Sequence, residues 1–373
     1  MTAFTTEDRR HMARAIRLAR LGWYTARPNP RVGCVIVRDG EVVGEGHHHR
    51  AGEPHAEINA LADAGPRAQG ATAYVSLEPC NHHGRTGPCS QALIKAGIRE
   101  VVYGMADPHG IAGGGIEALT GSGIIVRGPL MEAEAQALNP GFIRRCTSGL
   151  PRVTIKLAMS LDGRTAMASG ESQWITGPEA RRDVQRLRAA SDAIVTGIGT
   201  VLRDDPRLSV RAHELELANG EEIASHPPMR VILDSRLQTP SHANVLKGPG
   251  KVVVATREID SEKAALLSAM DAEVLLLPDG KQRLDLRALL DELAQRGCND
   301  VLVEAGAELC GAFVAAGLVD QLVVYMAPKL MGSNARPLLT LPLEAMGESL
   351  PLTITDIRAV GSDWRITAKP GEK

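Results

Sequence analysis

The strongest constraint on this chain is the order His55-Ala56-Glu57, then Pro79-Cys80, then Cys89. One imidazole and two thiols share a site only if the fold brings the chain back to one place three times. An α/β fold does this at strand-to-helix junctions, where a helix N-terminus carries partial positive charge and favours thiolate over thiol. The local patterns agree. Pro54 marks a helix start and places His55 and Glu57 in the first turn, with Ile58, Leu61 and Ala62 continuing a buried stripe. Ala73 to Leu77 reads as a strand ending at Glu78-Pro79-Cys80, and Cys89 opens a helix carrying Leu93, Ile94 and Ile98.

Zinc held by three protein ligands keeps a fourth position for water and lowers that water's pKa toward roughly 7. His55, Cys80 and Cys89 are the candidate ligands, and Glu57 is the candidate proton shuttle. This combination marks zinc-dependent deaminases of amino-pyrimidines, amino-purines and nucleosides. One spacing departs from the general pattern: residues 81–88 separate the cysteines, where most such enzymes have two residues. A structural zinc needs a fourth protein ligand, for which His82 and His83 stand nearby, and free cysteines are often only small buried hydrophobes. In the run His47, His48, His49, neighbouring strand positions alternate faces, so at most one or two reach a given site.

The chain has 373 residues, long for one domain and comfortable for two. A net charge of -2 leaves no electrostatic footprint for nucleic acid or anionic membrane, and 3% aromatic residues do not furnish a base-stacking platform. Met1 to Arg20 lacks the apolar core of a signal peptide, and no apolar run approaches a membrane span. Six cysteines, two of them in the metal motif, point to the reducing cytoplasm.

Two α/β blocks follow one another. The first opens with a helix over Thr6 to Leu21, then a hairpin of Gly33 to Arg38 and Glu41 to Gly46 turning at Asp39-Gly40. It ends in short strands at Val101 to Gly104 and Gly123 to Val126 and a helical stretch Met131 to Leu138 that leads to Asn139-Pro140-Gly141. Thr147 to Pro151 is read as the connector, with domains at 1–147 and 148–373. The second block carries strands at Arg152 to Ala158, Ala193 to Gly197, Arg230 to Asp234, Lys251 to Ala255, Glu273 to Leu277, Val301 to Glu304 and Gln321 to Met326. Two closing strands run from Leu352 to Val360 and from Trp364 to Lys369. Its helices are Pro178 to Ala190, Asp285 to Arg296 and Leu309 to Ala316. Val303-Glu304-Ala305-Gly306 and Gly197-Ile198-Gly199 are strand ends suited to receiving a phosphate, although neither completes a dinucleotide fingerprint and tight helix-on-strand packing uses the same glycines. Arg181, Arg182, Arg186 and Arg188 read as a solvated helix face.

The whole chain resembles the bifunctional riboflavin-biosynthesis deaminase/reductase family. Pro28 to Val37, Ala51 to Glu57 and Pro79 to Cys89 resemble its deaminase half, including the long interval between the two cysteines. Lys156 to Gly163, Ser172 to Thr176 and Asp204-Asp205-Pro206 resemble its reductase half. The resemblance implies an N-terminal cytidine-deaminase-like α/β/α sandwich and a C-terminal dihydrofolate-reductase-like α/β domain. It implies zinc-dependent deamination of 2,5-diamino-6-ribosylamino-4(3H)-pyrimidinone 5′-phosphate, then NADPH reduction of the ribosyl group to ribityl. The implied partner is this small pyrimidine ribose-phosphate, with no nucleic acid and no membrane, in a homo-oligomer (dimer or tetramer).

By the same resemblance, Asn29 and His48 contact the deaminase substrate. Ala158, Trp174, Thr200, Asp204, Ser235 and the turn Gly306, Ala307, Glu308, Leu309, Cys310, Gly311, Ala312 match NADPH positions. Lys156, Ser172, Arg188, Leu208, Arg211 and Glu304 match reductase substrate positions. Gly87, His109-Gly110 and Ala305 depart from the family pattern, and a methyl at Ala305 raises the question of backbone approach at the cofactor turn. Two alternatives stand beside this reading: a nucleoside or tRNA deaminase carrying an inactive reductase-like domain, and a zinc-stabilised binding module.

Overall fold

A computed structural model describes residues 3–82, 87–110, 113–280 and 283–371. The chain divides into two compact units, Met1–Gly149 and Leu150–Lys373. His83, Gly84, Arg85 and Thr86 of the cysteine motif lie outside the described residues.

The first unit runs α1 (Thr6–Ala19), β1 (Gly33–Arg38), β2 (Glu41–His47), α2 (Ala56–Ala64), β3 (Thr72–Val75), α3 (Cys89–Lys95), β4 (Glu100–Tyr103), α4 (Gly115–Gly121), β5 (Ile125–Arg127), α5 (Glu132–Gln136) and α6 (Pro140–Ser148). Its sheet has the order β2-β1-β3-β4-β5, antiparallel across the first three strands and parallel across the last three. Asp39 and Gly40 both take positive φ, 52° and 82°, as a tight hairpin with right-handed strand twist requires. Glycines admit the helices on both faces. A Cβ on Gly33 would lie 2.1 Å from the Ala15 carbonyl of α1, and one on Gly46 would lie 2.3 Å from the Ala56 carbonyl of α2. Gly33 and Gly46 point to opposite faces, since Gly46 pairs with Cys34, so the sheet is sandwiched between helices.

The stretch between Asn139-Pro140-Gly141 and the connector, given no element from sequence, is a helix that takes in Thr147 and Ser148. Pro140 occupies its first turn and Gly149 ends it at φ 74°. His55 is also displaced by one step from the expected first turn: it is the residue preceding α2, in extended conformation.

The second unit runs β6 (Arg152–Ser160), β7 (Arg164–Ala166), α7 (Pro178–Ala189), β8 (Ala193–Gly197), α8 (Ile198–Asp204), α9 (Ala212–Leu215), α10 (Gly220–Ala224), β9 (Met229–Leu233), β10 (Val252–Thr256), α11 (Ser261–Ser268), β11 (Ala272–Leu276), α12 (Leu286–Gln295), β12 (Asp300–Val303), α13 (Ala307–Ala315), β13 (Gln321–Ala327), β14 (Arg336–Pro337), β15 (Leu352–Val360) and β16 (Asp363–Pro370). A nine-stranded sheet has the order β11-β10-β9-β8-β12-β6-β13-β16-β15, parallel until the closing hairpin reverses direction. Its central strands are nearly continuous apolar runs buried on both faces, as expected of parallel sheets covered by helices. The chain steps outward from β8 to β11, then returns to insert β12 between β8 and β6. The crevice at the carboxyl ends of β8 and β12 is therefore a topological switch point.

Candidate active sites

In the first unit three donors converge. His55 makes no capping bond to α2, and its Nδ1 lies 3.6 Å from Cys80 Sγ and 3.3 Å from Cys89 Sγ. The Cys89 backbone N–H donates to Cys80 Sγ at 3.5 Å. The segment leading to Cys80 is pinned by Glu78, whose carboxylate accepts the N–H groups of Asp107, Gly115 and Ile116 at 3.0–3.1 Å. All three donor atoms lie within 4.8 Å of one another, and among the described residues no further His, Cys, Asp or Glu joins the group. One imidazole and two thiols at this separation fit zinc, and His55 and Cys80 line the adjoining cleft. His82 lines that cleft but stands apart from the donors, which removes it as a fourth ligand; His83 lies outside the described residues.

The thiols share charge unequally. The hydrogen bond from Cys89, followed by that from His55, brings Cys80 down to about 4, while the bond to Cys80 raises Cys89. Burial, and then the charge on Cys80, pushes Glu57 up to about 7.

A cleft of about 440 Å³ opens onto His55 and Cys80, with Glu57, Asn29 and His48 in its lining. Asn29 Nδ2 lies 3.1 Å from His48 Nε2, and His48 Nδ1 lies 3.2 Å from the Pro54 carbonyl. A neutral imidazole satisfies both contacts, its Nδ1–H donating to Pro54 and its Nε2 accepting from Asn29. Burial lowers the His48 pKa in the same sense. Of the histidine run, His48 stacks edge-on against His55 at 5.1 Å, while His47 and His49 pair with each other at 5.9 Å. Phe142 and Arg145 of α6, which no local sequence signal marks, also line the cleft.

In the second unit Lys156 of β6, Arg188 of α7 and Glu304 beyond β12 form one buried ionic cluster. Arg188 donates through Nε and Nη2 to the two Glu304 oxygens at 2.6 and 3.0 Å, and Lys156 Nζ approaches Oε2 at 3.1 Å. Burial works against the Glu304 charge, but Arg188 and then Lys156 hold its pKa down at about 2. Arg188 is thus no part of a solvated face; its partner lies 116 residues away in sequence.

Most of the matched NADPH positions lie at or just beyond carboxyl ends of parallel strands. Ala158 lies near the end of β6, Thr200 and Asp204 are in α8 after β8, Ser235 follows β9, and Gly306 precedes α13. Ser172 and the exposed Trp174 precede α7, with the Arg181 guanidinium 4.5 Å above the indole. Leu208 is buried with φ 50°. Arg211 precedes α9, ion-paired to Glu214, its backbone N–H donating to Gln185 at 3.1 Å.

Within the stretch 306–312, Gly306 is the residue before α13 and the helix starts at Ala307, two residues ahead of the expected Leu309. Gly306 places no side chain over the N–H groups of α13, and the space a Cβ would take there is open, as it is at Gly199. Uncapped N–H groups at the switch point fit a dinucleotide's phosphates. Cys310 and Gly311 face inward instead: Cys310 is in the core, and a Cβ on Gly311 would lie 2.1 Å from the Thr340 carbonyl. Ala305 packs against the same core, so its methyl does not crowd the phosphate edge.

Comparison with known proteins matches the two halves separately. The cytidine and deoxycytidylate deaminase zinc-binding region matches residues 5–105, and the RibD C-terminal domain matches residues 151–366. The riboflavin biosynthesis protein RibD of Escherichia coli (strain K12) is 51% identical over 366 residues, 96% of this chain and 98% of that protein. That of Haemophilus influenzae is 46% identical, with 99% of each chain covered. Among solved structures, Acinetobacter baumannii RibD (form 1) superposes with a TM-score of 0.91 at 44% identity, covering 98% of this chain and 99% of that one. A diaminohydroxyphosphoribosylaminopyrimidine deaminase/5-amino-6-(5-phosphoribosylamino)uracil reductase from Thermotoga maritima superposes with a TM-score of 0.86 at 31% identity, with the same coverage.

Proposed function

This chain belongs to the RibD family of riboflavin biosynthesis, and from that premise we propose how its residues divide the family's two reactions. It is a bifunctional enzyme. The cytidine-deaminase-like domain hydrolyses the 2-amino group of the diamino-ribosylamino-pyrimidinone 5′-phosphate, and the dihydrofolate-reductase-like domain uses NADPH to reduce the ribosyl group of the uracil product to ribityl.

In the first domain His55, Cys80 and Cys89 hold zinc, which when bound supplies Lewis-acid activation of the attacking water. Glu57 takes that water's proton and passes it to the amine, so that the ring C–N bond gives way to C=O and ammonia leaves. Asn29 and His48, locked in one tautomeric arrangement, orient the pyrimidine. In the second domain bound NADPH supplies hydride to C1′ of the opened imine form, a step that needs orientation more than a strong acid or base. Lys156 and Arg188, pinned by Glu304, hold the sugar-phosphate, and Ser172, Leu208 and Arg211 complete that side. Ala158, Trp174, Thr200, Asp204, Ser235 and the exposed start of α13 hold the cofactor.

The observation that carries this reading is the convergence of His55, Cys80 and Cys89, with Glu57 in the wall of the same cleft. Product mass after incubation with the diamino-pyrimidinone phosphate tests it. Without NADPH the amine is exchanged for oxygen and ammonia appears; with NADPH the product gains two further hydrogens. A nucleoside or tRNA deaminase with an idle second domain predicts no NADPH-dependent step and is disfavoured by the RibD C-terminal match over residues 151–366.

We further propose a homo-oligomer that forms through the β15–β16 hairpin, and a cytoplasmic setting. A register shift between Ile354 and Asp356 brings Leu352, Ile354 and Ile357 onto one face with Trp364, and these four are 45–55% exposed. A large apolar face at a sheet edge is the kind of surface a second copy covers. Cys80 and Cys89 must stay reduced to bind metal, as a cytoplasm ensures. No helix among the described residues is long and apolar enough to cross a membrane.

A further inference from the structure

The deaminase cleft must accept more than a pyrimidine ring, because the substrate also carries a 5′-phosphate. Its described walls are rich in carboxylates: Glu53, Glu57, Glu78 and Asp107 all contribute. Glu78 is consumed by three backbone N–H groups, and none of these carboxyl groups attracts a phosphate dianion, which calls for a cation in the wall. Among the described lining residues Arg145 is the one lysine or arginine. It sits on α6 three positions beyond Phe142, so both project from one face of the helix. Phe142 is held by the His109 ring, stacked nearly parallel at 6.5 Å and 11°. From that helix face both Phe142 and Arg145 contribute to the cleft wall.

Resting on the deaminase reading above, we propose that Arg145 takes the substrate's 5′-phosphate and so selects the phosphorylated pyrimidine over its dephosphorylated counterpart. A guanidinium suits this role because its planar fork binds two phosphate oxygens at once, whereas a lysine would offer a point charge. The donors His55, Cys80 and Cys89 with Glu57 fix the reacting ring carbon, and Arg145 fixes the far end of the same molecule.

Ammonia release is measured on the diamino-ribosylamino-pyrimidinone 5′-phosphate and on the same compound without phosphate, using wild type, Arg145→Gln and Arg145→Lys, with bound zinc quantified in each. Arg145→Gln is expected to raise KM for the phosphorylated substrate at least tenfold with little change in kcat, leaving the dephosphorylated compound and the zinc content unaffected. Arg145→Lys is expected to recover part of the loss, and inorganic phosphate to compete with substrate more weakly in both variants. An unchanged KM in Arg145→Gln overturns the proposal, as does an equal loss on both compounds with zinc retained. If Arg145→Gln loses zinc, the lysine variant decides through phosphate competition, and wild-type inhibition there overturns the proposal. Wild type releasing ammonia from neither compound removes the deaminase reading itself, a result separable from the others.

Discussion

At the scale of single residues, two buried carboxylates have opposite duties. Glu57 has no part in the zinc donor group, so its loss removes proton transfer without removing a ligand. Glu57→Gln should lower the deamination rate by about 10²–10⁴-fold, the usual range for general acid–base catalysis, with zinc stoichiometry unchanged by atomic absorption. Loss of zinc together with activity would instead make Glu57 a ligand. Asp8 is structural. It accepts from Thr5 N at 2.8 Å, Tyr74 Oη at 2.7 Å and Arg127 at 3.2 Å, which tie α1 to β3 and β5. Burial works against its charge, but the bonds from Thr5, Tyr74 and Arg127 bring it to about 2 from an ordinary 3.8. A depressed carboxyl pKa stabilises the fold above the unfolded value and loses that contribution as pH falls through the folded one. Asp8→Asn should therefore cost about 1–3 kcal/mol at pH 7. The cost is read as faster hydrogen exchange over α1, and the difference from wild type should vanish as pH approaches 2.

At the scale of elements, the zinc site depends on how closely β2 lies against α2. Gly44 and Gly46 face the helix, with no room for a Cβ: one on Gly44 would lie 2.3 Å from the Ala60 carbonyl. Gly46→Ala should cost about 1–3 kcal/mol as overpacking and push away the start of α2, where His55 and Glu57 sit. Chelator competition should then report weaker zinc binding, whereas unchanged affinity would mean the site is held by the cysteine segments alone. Elements like these were legible in sequence where the signal is local. The His55, Cys80 and Cys89 set, the Asp39-Gly40 turn and β8 are carried by short spacings and periodicity. What escaped depends on distant partners. Nothing near Arg188 in sequence announces Glu304, so a buried ionic cluster looks like a solvated helix face. The helix α6 was missed for a different reason: Asn139-Pro140 is a turn signal and also a helix-start signal, and Gly149 as its terminator decides between them. With α6 went Phe142 and Arg145, which its fold turns into the cleft wall.

At the scale of the whole molecule, the open question is what covers the last hairpin. β15 forms the edge of a nine-stranded sheet, and eight of its nine residues are exposed, the exception being Val360. An edge this long is normally shortened, charged or covered, because unpaired strand groups beside an apolar face recruit other chains. Here the register shift near Thr355 puts Leu352, Ile354, Ile357 and Ala359 of β15 on the face that carries Trp364. The inner side of the same hairpin is fastened to its own domain: Arg365 donates to Asp183 of α7 at 2.8 Å, and Asp363 accepts the Gly177 N–H at 2.6 Å. The hairpin is therefore fastened on its inner side, which leaves its outer apolar side to a second copy. Ile354→Lys combined with Ile357→Lys should convert an oligomer to a monomer by light scattering, with both activities measured alongside. Because Gly177 closes the loop bearing Ser172 and Trp174, dissociation should raise KM on the reductase side and leave deamination unchanged. A wild type already monomeric at micromolar concentration would refute the interface, and a monomeric variant with unaltered reductase KM would separate assembly from that site.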